Sequence, residues 1–191
     1  MKKIILPTVC LLLAVMLIGI LPTEADCAIY EDTVRLHILA KSDSREDQEL
    51  KLYLRDKILA EYSGMLGSSS SSAEAAQSIR DHLEEIENRC NEWLSERDTD
   101  SHATVTLTEE WYGTREYSDF SLPSGNYLSL KIVIDEGDGQ NWWCVMYPPL
   151  CLDVATETNS SYSEEENRLI TGSGYAIKFK LLEITSSFFK R

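Results

Sequence analysis

The sequence predicts an α+β fold: a mixed, mostly antiparallel sheet of about five strands packed with two helices. Three observations carry this. Five stretches, near 33–39, 103–112, 127–135, 142–147 and 175–184, are rich in β-branched or aromatic residues or alternate in polarity with period two. Two longer stretches, near 45–62 and 73–95, repeat apolar residues at helical spacing. Strands and helices follow one another in mixed order, without the regular alternation of a parallel α/β sheet. The chain has 191 residues, 43% of them hydrophobic, which is enough for one domain with a real core. Its net charge of −14 argues against nucleic acid and against an anionic membrane surface as partners.

The chain opens with Met1-Lys2-Lys3 and an apolar run from Ile4 to Leu21, the pattern of a secretory leader. Thr23-Glu24-Ala25 places cleavage after Ala25. The expected organisation is a leader over 1–25, either cleaved or kept as an N-terminal anchor, and one exported domain over 26–191. In the first strand, Val34, Leu36 and Ile38 share one face, and Arg35, His37 and Leu39 the other. Ser44, followed three residues later by Asp47, is a variant capping box that starts a helix from Arg45 to about Tyr62. Leu50, Leu54, Ile58 and Tyr62 form its buried stripe, and Gly64 and Gly67 end it. The serine run 68–72 reads as a flexible linker. A second continuous helix is expected from Ala73 to Ser95, its buried face built by Ile79, Leu83, Ile86, Cys90 and Trp93. Cys90 is expected to be a buried free thiol.

Ala103 to Tyr112 alternates cleanly, with Ala103, Val105, Leu107 and Trp111 on the apolar side and Glu109 breaking it as at a sheet edge. Gly113 to Asn126 is a long connection. The strand from Tyr127 to Asp135 ends at the turn 136–140, where Asp138-Gly139 supplies turn chemistry, and meets the strand beginning at Trp142. These two strands are expected to form a hairpin. The segment 155–173 is polar and reads as mobile.

The stretch from Gly137 to Cys151 concentrates costly residues: two of the four tryptophans, the Pro148-Pro149 pair, and Cys144 and Cys151. Pro148-Pro149 must end the strand, because proline cannot donate to a ladder. Fully extended, the chain from Cys144 to Cys151 would span more than about 20 Å, against roughly 5.5 Å between bridged Cα atoms. A Cys144–Cys151 disulfide therefore requires the chain to turn back, and Pro148-Pro149 sits where it would, a cis bond being one way to do so. Cys27 and Cys90 are the competing partners. Such a bridge would fix the shape of Tyr147 to Leu150.

The catalytic inventory is thin. The sequence has no HExxH, GxSxG, phosphate loop or CxxC. His37, His82 and His102 lack metal-ligand spacing, and His82 reads as a solvated residue in an exposed helical turn. No catalytic residue, metal site or cofactor is expected. Cys144 with His37 as its base would be the thiol-nucleophile pairing, but nothing in sequence around Cys144 would lower its pKa. Asp43, at a strand-to-helix junction, is the best single site candidate, since ligands favour strand ends and helix N-termini. A secreted enzyme acting on cell-wall material, using Asp43, His37 or Cys144, is the alternative that these residues leave open.

Two stretches go further. Arg35-Leu36-His37-Ile38-Leu39-Ala40-Lys41-Ser42-Asp43-Ser44, continued by Asp47-Gln48, Leu50-Lys51 and Arg55-Asp56, resembles the N-terminal signature of the stage II sporulation protein R family. Asn141-Trp142-Trp143-Cys144-Val145-Met146-Tyr147-Pro148-Pro149-Leu150-Cys151 resembles that family's central motif, and Tyr117, Pro123, Gly125 and Tyr127 fall where it would place them. Gln140 stands where histidine is expected and Lys41 where asparagine is expected. The resemblance implies a protein made in the forespore and exported to the space between the two sporulation membranes. There it would trigger a membrane-embedded aspartic protease of the mother cell (SpoIIGA-like), which matures the precursor of sigma-E. It implies a ligand and activator, not an enzyme. The receptor-facing surface is expected to comprise Arg35, His37, Asp43, Asn141, Trp142, Trp143, Tyr147, Pro148 and Pro149, with alternation turning one of the two tryptophans inward and the other outward.

Overall fold

A computed structural model describes residues 24–97, 99–116 and 121–149, together with Pro7. Cys151, the expected last strand at 175–184, the segment 155–173 and nearly all of the leader lie outside the described residues. The elements are α1 (Glu24–Glu31), β1 (Val34–Leu39), α2 (Arg45–Gly67), α3 (Ser72–Asp81), α4 (Leu83–Ser95), β2 (Ala103–Tyr112), β3 (Arg115–Glu116), β4 (Ser121–Leu122), β5 (Gly125–Ile134) and β6 (Asn141–Tyr147). The fold is α+β, with a mixed four-stranded sheet in the order β2-β5-β1-β6 and a small β3-β4 ribbon. The cleavage point expected after Ala25 falls in the first turn of α1. Among the described residues no helix is long and apolar enough to cross a membrane.

The expected hairpin between the last two sheet strands is not formed. β1 lies between them, parallel to β5 and antiparallel to β6. The connection 135–140 is too long for a tight hairpin turn, and it passes over the exit of β1 instead. Gly139 N donates to Ala40 O at 2.8 Å and Asp138 N to Lys41 O at 3.2 Å. Gly139 is needed here for close approach, because a Cβ would collide with the Ser42 carbonyl. The connection uses positive φ at two positions, Asp135 at 51° and Gly137 at 68°.

Residues Val34, Leu36 and Ile38 of β1, Leu130, Ile132 and Ile134 of β5, and Ala103 and Val105 of β2 face the helices. The α2 stripe of Leu50, Leu54, Ile58 and Tyr62 packs there, as its four-residue spacing predicts. Ser44 caps α2, accepting from Asp47 N at 3.1 Å, a bond worth about 1 kcal/mol. The helix runs through Gly64 and ends at Gly67. The serine run is hydrogen-bonded rather than a bare linker: Ser71 Oγ accepts from Glu74 N, and Ser70 donates to the Glu74 carboxylate.

The second helix is two helices. His82, with φ −109° and ψ 9°, breaks it, and its Nδ1 pairs with Ser78 O at 2.8 Å rather than with solvent. The apolar face still reads through the break, since Ile79, Ile86, Cys90 and Trp93 are all buried. Cys90 is free, and burial pushes its thiol up to about 12, which makes it inert. β2 is an edge strand, and its first residues are covered from α4. Asn91 pairs with both backbone groups of Ala103, and Glu87 accepts from Val105 N. Trp111, placed on the apolar side by alternation, is 44% exposed, because the core does not extend to that end of β2.

Candidate functional site

The opposite face of the sheet is built from other chemistry. The same alternation that sends Leu36 and Ile38 to the core turns Arg35 and His37 away from it. Register places Ser129 and Lys131 of β5 opposite these two, and Glu110 and Tyr112 of β2 on the same face. Near the start of β1 this face is covered. Tyr30 of α1 meets Tyr127 edge-on at 5.2 Å and donates to Ser124 O.

Arg35 is fully buried. Its guanidinium lies 4.1 Å from the centroid of the Tyr112 ring and 5.0 Å from that of Tyr127. Two aromatic faces on one desolvated cation are each worth up to about 2 kcal/mol. Burial also pushes the Tyr112 hydroxyl far above its ordinary value, so it stays protonated. It shares a 2.6 Å hydrogen bond with Ser129 Oγ.

Beside this stack runs a chain of charged groups. Lys131 Nζ donates to Glu110 Oε1 at 2.8 Å, and Glu110 Oε2 lies 2.8 Å from His37 Nδ1. Burial raises the Glu110 pKa, but the bonds from Lys131 and His37 outweigh it and hold the carboxyl below its ordinary value. An ionised carboxylate only accepts, so His37 Nδ1 carries the proton. His37 Nε2 is then the far end of the chain. It is shielded from solvent and has no hydrogen-bond partner. Leaving such a group unpaired costs about 1–3 kcal/mol, so it calls for an explanation.

His37 borders a cavity of roughly 370 Å³ whose other walls are residues 110–115 and Trp143. Arg115 of β3 lies with its guanidinium 3.7 Å from the centroid of the Trp143 ring, and His37 lies 5.6 Å from the same ring. Aromatic walls with a few converging polar groups are the general character of a binding pocket. Among the described residues no group of three or more His, Cys, Asp or Glu side chains could hold a metal ion.

The residues singled out from sequence divide among three places. Arg35, His37 and Trp143 come together on the polar face. Trp142 turns the other way, packing against the core with Arg55 stacked 4.3 Å from its ring centroid. Tyr147 is buried in the core, and Pro148 follows it through a cis peptide bond. Asp43 and Asn141 sit at the far end of the β1-β6 pair. Asp43 accepts from Gln140 N at 2.7 Å and so ties the 135–140 connection to the start of α2. Lys51, whose ammonium burial lowers, holds Gln140 O at 2.9 Å from the same helix. Cys144 lies on the helix-facing side, opposite to His37, so the thiol–imidazole pairing is not assembled. Cys144 is disulfide-bonded. Cys151, the partner singled out by sequence, lies outside the described residues.

Sequence reasoning missed Glu110, Tyr112, Arg115, Ser129 and Lys131. Glu110 and Lys131 do carry a signal, since both interrupt the threonine or apolar side of a strand with a charge. Their meeting depends on the β2-β5 register, in which Thr106 pairs with Lys131.

The model of the stage II sporulation protein R family matches residues 30–157. Stage II sporulation protein R of Bacillus subtilis (strain 168) is 34% identical over 141 residues, covering 73% of this chain and 62% of that protein. No solved structure matches. The matched span takes in β1, β6 and every wall of the His37 cavity, and on these findings the chain belongs to the stage II sporulation protein R family.

Proposed function

We propose that this protein is an exported signal of sporulation. Made in the forespore and delivered to the space between the two membranes, it activates a membrane-embedded aspartic protease of the mother cell (SpoIIGA-like). That protease then processes the sigma-E precursor. The observation that carries this reading is the meeting of the two motif stretches. Arg35 to Ser44 and Asn141 to Cys151 are far apart in sequence, yet β1 and β6 pair in register, with His37 opposite Trp143 and Leu39 opposite Asn141. The turn after β1 and the turn before β6 are tied by the Asp43–Gln140 bond. The two motifs thus form one structural unit, as a shared recognition surface requires.

Support also comes from the leader-like residues 1–25 and from an acidic body with a net charge of −14 for the whole chain. The disulfide at Cys144, which we assign to Cys151, suits an oxidising compartment and a fixed 147–150 segment. Trp143, with the Arg115 guanidinium over its ring and His37 tilted beside it, is the kind of aromatic anchor that dominates interfaces.

The test is co-expression of the full chain, the protease and its sigma precursor in a non-sporulating host, with precursor cleavage followed by size. Cleavage that requires this chain and its leader is expected. Absence of cleavage with all three proteins present and this one exported would overturn the reading.

A further inference from the structure

We propose that the second half of β2 is a docking edge for an extended, basic segment of a partner protein, which adds to the sheet as a further strand with the pattern apolar–x–basic–x–apolar. β2 is an outer strand of the sheet and pairs along its whole length with β5. In an antiparallel ladder, alternate residues aim both backbone groups at the same neighbour, so one set bonds β5 and the other faces outward. Asn91 and Glu87 identify the outward set, because they reach the backbone of Ala103 and Val105 from α4. Leu107, Glu109 and Trp111 continue it. The cover from α4 thus stops at Val105. Among the described residues nothing bonds the outward N–H and C=O of Leu107 and Glu109. An open row of this kind is a template for an added strand.

The side chains select the occupant. Leu107, Glu109 and Trp111 lie in one row on the core side of β2, past the reach of the helices. Leu107 is half-buried and Glu109 exposed, and Trp111 is the one exposed large hydrophobic side chain among the described residues. An incoming strand sets its own side chains beside these: apolar residues against Leu107 and Trp111, and a cation against Glu109. The pattern reads the same from either end, so parallel and antiparallel addition both satisfy it. The opposite row offers Thr104, Thr106 and Thr108, all exposed, to β-branched or small polar residues. A second copy of this chain does not fit. A two-fold pairing through Leu107, Glu109 and Trp111 sets Glu109 against the Glu109 of the copy, between chains that each carry −14. This inference does not rest on the signalling reading, because strand addition is read on the protein alone.

The experiment titrates the full-length chain, in mild detergent, with two capped peptides and follows its backbone amides by NMR. One peptide is acetyl-Thr-Val-Thr-Lys-Thr-Val-Thr-amide, and the other has glutamate in place of the lysine. The expected result is binding of the lysine peptide at least about fivefold tighter than the glutamate peptide, weakening with added salt. Binding should slow hydrogen exchange at the Leu107 and Glu109 amides, which are open to water in the free protein. Glu109→Lys changes an exposed side chain, so it should leave thermal unfolding nearly unchanged and reverse the preference between the peptides. No binding of the lysine peptide, equal binding of the two, protection at another strand instead of β2, or an unaltered preference in Glu109→Lys would overturn the proposal. Self-association of the chain through β2 in sedimentation would overturn it too, in favour of a second copy as the occupant.

Discussion

Trp142 and Trp143 are neighbours in sequence and belong to two different environments. Trp142 looks toward the helices, with Arg55 closing over it, and serves a core made by apolar area. Trp143 looks toward a face made by stacked cations and hydrogen-bond chains. The apolar face is covered once the helices dock, with Tyr62 Oη and Trp142 Nε1 buried there without a hydrogen-bond partner. The polar face ends in an atom, His37 Nε2, that the protein does not satisfy. One strand thus separates the part of the molecule that stores stability from the part with binding capacity to spare.

Trp93→Ala tests the helix-covered side and should show the largest effect. Trp93 is 2% exposed, and its loss should cost about 3–5 kcal/mol in urea unfolding. Trp142→Ala should follow at about 1–3 kcal/mol, since the ring is only partly buried and Arg55 keeps part of its packing. A cost for Trp143→Ala equal to that for Trp93→Ala would erase the distinction between the faces.

The same comparison shows what could be read from the sequence. Period two assigned Leu36, Ile38, Leu130 and Ile132 to the core, because each strand's alternation is local information. Period 3.6 did the same for α2. The hairpin between β5 and β6 failed for a non-local reason: β1, far away in sequence, is inserted between them through its ladders to both, and the bonds of Gly139 and Asp138 to its exit fit the connection to it. The break at His82 left no trace in the apolar spacing, since Ile79 and Ile86 remain on one face across it. The polar site was half legible. Arg35, His37 and Trp143 came from the motifs, while Glu110, Tyr112 and Lys131 enter through strand register, which pairs residues distant in sequence.

A pH series sharpens the contrast further. Glu110 is held below its ordinary value of 4.5 in the fold, so its contribution to stability is whole above that pH and is lost as pH falls through the lowered value. Glu110→Gln should therefore be less stable than the parent near pH 7, and the gap should close in acid. Trp93→Ala should show no such closing. The smallest effect is expected at Arg45→Ala. Its i,i+4 pair with Glu49 is exposed on α2 and screened by solvent, so its loss should leave the urea midpoint close to that of the parent.

The most direct test of the division between faces is Trp143→Ala in the co-expression assay, with folding checked by urea unfolding. The account predicts a protein that folds with most of its stability and no longer supports cleavage of the sigma precursor. A folded Trp143→Ala protein that still drives cleavage at the parental rate would contradict it, and would move the receptor-facing surface away from the polar face of the sheet.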